Sequence, residues 1–214
     1  METKPVTLNS LLISAAAVIA IELAAGSVIS NAILPSSIAL GFTRILQILV
    51  MVIILRKLEK GLTTVGVSRS AILKGMQKGL IWSVCFGFAS GFIIGLLLLF
   101  GVGVTKLFQA SLSSSPNELF LYFFVGIILG PLAEELFFRG LLFGYFRKFG
   151  FVPALIISTL LFILPHIIGS AIPITQMVGG LLFAVAYEVE KNLVVPVVIH
   201  CLGNLVIFSL SFMI

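Results

Sequence analysis

Apolar runs of about twenty residues follow one another along almost the whole chain, and this feature decides where it can fold. A helix of that length crosses the hydrocarbon layer of a bilayer. Only 10% of the residues are charged while 60% are hydrophobic. A water-facing domain carries roughly 25% charge, so a soluble globule is excluded. A transmembrane barrel would alternate apolar and polar residues, and these runs do not. The pattern predicts an all-α, polytopic bundle of about seven transmembrane helices, with six to eight as the range, forming one integral membrane domain over residues 1–214.

The predicted spans begin about Leu8–Ser30 and Ile38–Leu55, joined by a turn at Pro35-Ser36-Ser37. A basic stretch, Arg56 to Lys78, reads equally as an amphipathic surface helix or a solvated loop. The third span is set at about Gly79–Gly101, followed by a linker, Ser111 to Pro116. The remaining four are about Asn117–Phe146, Phe151–Ile168, Ile174–Tyr187 and Leu193–Phe212.

Lys and Arg in the connecting segments fix orientation. With the N-terminus in the cytoplasm, ten of them fall inside (Lys4, Arg56, Lys57, Lys60, Arg69, Lys74, Lys78, Arg147, Lys148 and Lys191) and only Lys106 outside. Seven spans then put the C-terminus outside. The net charge of +5 is therefore a topology signal, and no nucleic-acid partner is implied. Two cysteines, Cys85 and Cys201, lie within apolar runs and form no metal motif.

Five charged residues fall inside the spans: Glu22, Arg44, Glu134, Glu135 and Arg139. Each costs ~2.5–3.5 kcal/mol at a helix centre, so each needs a partner or a purpose. Glu22 and Arg44 lie on consecutive antiparallel spans at matching depth and read as a structural ion pair. Glu135 and Arg139 are four apart, with the acid on the N-terminal side, the better order for a helical pair. Glu134 points about 100° away with no local cation, a carboxylate suited to taking a proton near neutral pH. Taken alone, this segment fits a helix tie as well as a catalytic site.

The two histidines shift that balance. Glu134 lies sixteen residues before Gly150 and His166 sixteen after, so antiparallel spans bring them to one depth. His200 and Asn204 share a helical face four residues apart. The zinc reading of the same atoms uses Glu134, His166 and His200 with an open water position. The His-Glu-x-x-His pattern of common zinc proteases is absent, and no cofactor is favoured.

These residues resemble the motifs of the CPBP family, the CAAX proteases and bacteriocin-processing (Abi) membrane proteins. Glu134, Glu135 and Arg139 match its Glu-Glu-x-x-x-Arg motif, Phe162 and His166 its Phe-x-x-x-His, and His200 and Asn204 its His-x-x-x-Asn. The motif-bearing half is residues 117–214. The resemblance implies an intramembrane endopeptidase acting on a peptide or protein substrate, lipidated or not, with membrane lipid as its surroundings. It implies Glu134 as the base that activates water, with metal dependence open, and a bacterial plasma-membrane location. On the residues themselves, Glu134 and His166 would handle the water, and His200 and Asn204 would receive the oxyanion. Glu135, Arg139 and Phe162 would orient and pack. A bacteriocin immunity protein without catalysis is the alternative. A proton-coupled transporter is a further one, weakened by the lack of paired halves.

Overall fold

The computed structural model describes residues 5–105, 116–167 and 173–213. The linker at Ser111–Ser115, the basic residues Lys4 and Lys106, and the end of the fifth span at Ile168 lie outside them. Among the described residues seven α-helical stretches follow one another, with a short 3-10 helix, Gly61–Val65, between the second and third, and no strand occurs. We label them α1 (Leu8–Ser30), α2 (Ser36–Leu58), α3 (Arg69–Leu99), α4 (Pro116 to Phe149, in several registers), α5 (Phe151–Ile163, ending in a 3-10 turn, Leu164–His166), α6 (Ile174–Glu190) and α7 (Val194–Met213). Five of these are long and apolar enough to cross a membrane: α1, α2, α3, α4 and α7. The molecule is an all-α membrane bundle, in which each helix satisfies its backbone internally without water.

The third helix corrects the sequence reading. Arg69 to Lys78 is neither a surface helix nor a loop but the first turns of α3, a 31-residue helix. Charge marks where the hydrocarbon ends, not where the helix ends, because Lys and Arg reach out along their own stems. Two glycines in those turns let α3 lie close against the start of α7. A Cβ on Gly75 would sit 2.7 Å from Val194 Cβ, and one on Gly79 would sit 2.6 Å from Val198 Cβ. Small residues that admit a neighbouring backbone drive helix association where no hydrophobic effect operates.

One end of the bundle is knitted together by these turns. Gly66 has φ +78°, and any Cβ there would collide with the Lys191 carbonyl. Asn192 caps α7 by accepting from the Val194 N–H (3.0 Å) and donates to the Ala71 carbonyl (2.8 Å). Val6 is buried and its N–H reaches the Gly144 carbonyl (3.4 Å). Arg147 pairs with Glu188 (3.0 Å) and Lys78 with Glu190 (3.7 Å). Thus the segments counted as basic and same-sided in the sequence meet at one end of the molecule.

At that end Glu59 ties down α1. Its Oε1 accepts from the Thr7 N–H (2.9 Å), the Thr7 hydroxyl (2.8 Å) and the Ser10 hydroxyl (2.6 Å). Partial burial opposes its ionisation, yet the Ser10 and Thr7 hydrogen bonds outweigh burial and hold the carboxyl below its ordinary value. At membrane depth Arg44 pairs with Glu22. Gln47, itself buried, joins both, accepting from Arg44 (2.8 Å) and donating to Glu22 (3.0 Å).

Two outcomes follow from these ties. Glu59→Ala should cost about 1 kcal/mol at neutral pH, judged by thermal unfolding in detergent. A depressed folded-state pKa means the stabilisation holds above the unfolded value of about 4.3 and fades as pH falls through the folded one. The wild type and the variant should therefore converge in strong acid. Second, Glu22→Arg and Arg44→Glu should each lower the folded yield, and the double reversal should restore it; no rescue would show that the pair is not what holds α1 to α2.

Candidate active site

The fourth helix is not a regular spiral where its acids sit. Two π-helical stretches, Val125–Leu129 and Leu136–Phe143, flank the short α-helical turn Gly130–Glu135 that carries the glutamate pair. π turns are rare inside α-helices and frequently stand at functional sites. Here the first one is matched to Pro131. Gly130 donates to the Val125 carbonyl, the i→i−5 register. The next donor in that register would be residue 131, and proline has no N–H. Gly126 is thereby left with a free carbonyl, and Asn204 Nδ2 donates to it at 2.8 Å.

Glu135 and Arg139 are fully buried and paired, Arg139 Nη1 donating to Glu135 Oε1 at 3.0 Å. The same oxygen accepts from His200 Nδ1 at 2.8 Å. His200 therefore keeps its Nδ1 proton, and its Nε2 faces the other acid, 3.9 Å from Glu134 Oε2. Glu134 is the more open of the pair, its side chain 21% exposed against 0% for Glu135. Glu134 has no cation at helical spacing on its own helix, and α7 brings the His200 imidazole to it from across the bundle.

Helix α6 completes the enclosure, and no motif pointed to it. Arg139 Nη2 donates to the Gly180 carbonyl at 3.1 Å. The Phe183 ring stacks on the His200 imidazole with centroids 4.6 Å apart and planes at 21°. The glycine pair 179–180 was the available signal: a Cβ on Gly180 would meet Phe162 at 3.2 Å, and one on Gly179 would meet the Phe183 ring at 3.2 Å.

Phe162 is the platform between elements. It is buried, sits edge-on to His200 (5.9 Å) and tilted to His166 (5.0 Å), and lies under the Arg139 guanidinium (4.4 Å). His166 stands in the 3-10 turn that closes α5. Its Nδ1 donates to the Phe162 carbonyl at 2.9 Å, which leaves Nε2 as the free nitrogen of the neutral ring. Among the described residues no ion pair joins His166 to either glutamate; His200 is the imidazole that contacts both. Phe162 thus touches both imidazoles, and Glu134 is paired with His200 alone of the two.

Could these groups hold a metal? No group of three or more His, Cys, Asp or Glu among the described residues is placed to do so. Nδ1 of each imidazole is engaged, that of His200 by Glu135 and that of His166 by a carbonyl, which leaves Nε2 as the other ring nitrogen of each. Glu134, His166 and His200 do not gather into such a group.

With this geometry in hand, comparison with known proteins is informative. The sequence model of the family described as Type II CAAX prenyl endopeptidase Rce1-like matches residues 116–206. Over those residues the chain is similar to this family. The glutamate pair, Arg139, Phe162, His166, His200 and Asn204 all lie within the matched stretch. The chain is also 41% identical over 97 residues to the membrane-embedded CAAX protease MroQ of Staphylococcus aureus (strain USA300). That match takes in 41% of this chain and 38% of the relative, so the chain spans well under half of MroQ's length. No solved structure matches the chain.

The buried pair yields a prediction that needs no substrate. Glu135→Ala strands the Arg139 guanidinium and frees His200, and should destabilise by roughly 3–5 kcal/mol. Glu134→Gln, at the open edge, should cost far less. Comparing their thermal unfolding in one detergent tests this, and equal losses would mean that Glu135 is not the anchoring acid.

Proposed function

We propose that this chain is an intramembrane endopeptidase that hydrolyses a peptide bond with water activated by Glu134. What carries this reading is the fully buried Glu135 carboxylate, which binds Arg139 and His200 at once and so leaves Glu134 free of any salt bridge to arginine. Two carboxylates, one guanidinium and one imidazolium sum to zero. A neutral cluster is the arrangement a poorly hydrated site tolerates. Protonated His200 then presents an Nε2–H beside Glu134, and its other proton stays with Glu135.

The steps follow from those positions. Glu134 takes a proton from water as its oxygen attacks the scissile carbonyl carbon. His166 orients that water through its free Nε2. The developing oxyanion meets the Nε2–H of His200 and the second amide proton of Asn204, the first being held by Gly126. The proton on Glu134 passes to the departing amine as the C–N bond breaks. Arg139 and Glu135 do not meet the substrate; they keep His200 in its plane and tautomer.

By similarity to a protein named a membrane-embedded CAAX protease, the substrate is a peptide bearing a C-terminal CAAX-type sequence, lipidated or not. A bacterial plasma membrane suits that relative's source. The basic end then faces the cytoplasm, with the N-terminus there and the C-terminus opposite. The test is a cleavage assay in detergent or liposomes with paired farnesylated and unlipidated CAAX peptides. Glu134→Gln should remain folded and extractable while losing at least about a hundredfold in rate, the lower bound for a general base. Proteolysis retained in that variant would remove Glu134 from the base role.

A further inference from the structure

Two prolines stand beside the catalytic motifs, and each removes the backbone donor that would otherwise occupy a particular carbonyl. In α4, Pro131 follows a π turn in which Gly130 donates to Val125, so the Gly126 carbonyl lacks its i+5 donor. Asn204 Nδ2 binds it. In α5, the helix closes with a 3-10 turn over Leu164–His166, where Ile167 donates to Leu164. Leu164 is the last donor in the α register, reaching Leu160, and in the tighter register that replaces it the donor for the Phe162 carbonyl is residue 165, again a proline. His166 Nδ1 binds that oxygen instead. Both freed acceptors are thus taken by the side chain of a motif residue, one from a neighbouring helix and one from the next position along.

We propose that Pro131 and Pro165 are positioning residues for the reaction: by withholding an N–H each leaves a backbone carbonyl that orients Asn204 or His166. The inference rests on the hydrolase reading only for its kinetic consequence, because the orientation itself is a property of the unliganded protein. For His166 the carbonyl fixes the Nδ1–H tautomer and turns Nε2 toward the water. For Asn204 it fixes which way round the amide sits and leaves one N–H for the oxyanion. The prolines touch neither substrate nor water. A proline inside a helix is ordinarily a cost, and alanine there is better by helix propensity.

The two roles a proline could have are therefore separable. If Pro131 and Pro165 matter only for helix shape, alanine should leave the histidine tautomers and turnover as they are. If they position, Pro165→Ala restores an N–H that competes for the Phe162 oxygen and releases the imidazole.

The chain has only two histidines, so protein labelled with 15N-histidine shows two ring systems in detergent. In Pro165→Ala one ring, His166, should pass from the Nδ1–H form to a mixture of tautomers while His200 stays put. With a fluorogenic farnesylated CAAX peptide, kcat should fall about tenfold with KM little changed, the mark of a misplaced catalytic group. Pro131→Ala should lower kcat similarly, leave both imidazole signals unmoved and shift the Asn204 side-chain amide signal. Both variants should unfold at or above the wild-type temperature, which separates the effect from misfolding. An unmoved His166 tautomer, or wild-type kcat in both variants, overturns the proposal. A wild-type protein that cleaves neither peptide overturns the hydrolase reading instead, and the nitrogen signals then decide the orientation claim alone.

Discussion

A single carboxylate oxygen organises the interior of this molecule. Glu135 Oε1 receives both the Arg139 guanidinium and the His200 imidazole in a place with no measurable solvent access. An isolated ion at that depth would be prohibitively costly, so the three groups are mutually obligatory. Because they sit on α4 and α7, with the Gly180 carbonyl of α6 receiving a further Arg139 proton, the requirement to satisfy one charge assembles three helices. Aromatic faces fill what hydrogen bonds do not: Phe162 and Phe183 both lie within 5.3 Å of the guanidinium carbon, measured to the ring centroid. Such contacts are worth most where water is excluded.

The consequence for chemistry is a division of labour between adjacent residues. Successive positions on a helix point about 100° apart, so Glu134 and Glu135 cannot enter the same environment. One is enclosed and spoken for, and the other is partly open beside an imidazole nitrogen. Two identical side chains thereby acquire different surroundings, one beside Arg139 and His200 and the other beside His200 alone.

How far could this be read in advance? Span positions were legible because apolar runs report directly on the hydrocarbon; α1 is the predicted Leu8–Ser30 to the residue. The start of α3 was not, since the helix continues beyond the layer that the composition senses. Depth arithmetic also served for Glu22 with Arg44, and for grouping His200 with the acids, because rise per residue is nearly constant. Azimuth was the missing coordinate. It decides that His200, and not His166, contacts the glutamates, and it depends on helix packing and on two π stretches that no periodicity reveals. Phe183 and Gly180 escaped notice for a related reason: an apolar residue in a membrane helix carries no sign of whether it faces lipid or an imidazole.

Pro131 and Pro165 show how much a local backbone rule can carry once the register is known. A proline inside an apolar helix is ordinarily a kink and nothing more. The structure adds which carbonyl each leaves open and which side chain arrives there. In a bilayer that arrival is not optional, because a carbonyl freed at depth has no water to turn to. The neighbouring polar side chain is then held by a need of the backbone itself, which is more rigid than any side-chain partner. A site built this way gains its precision from the membrane's intolerance of unpaired groups. It also ties the placement of Asn204 and His166 to the helices that carry them, so that any motion between α4 and α7 is felt first at the Asn204 amide.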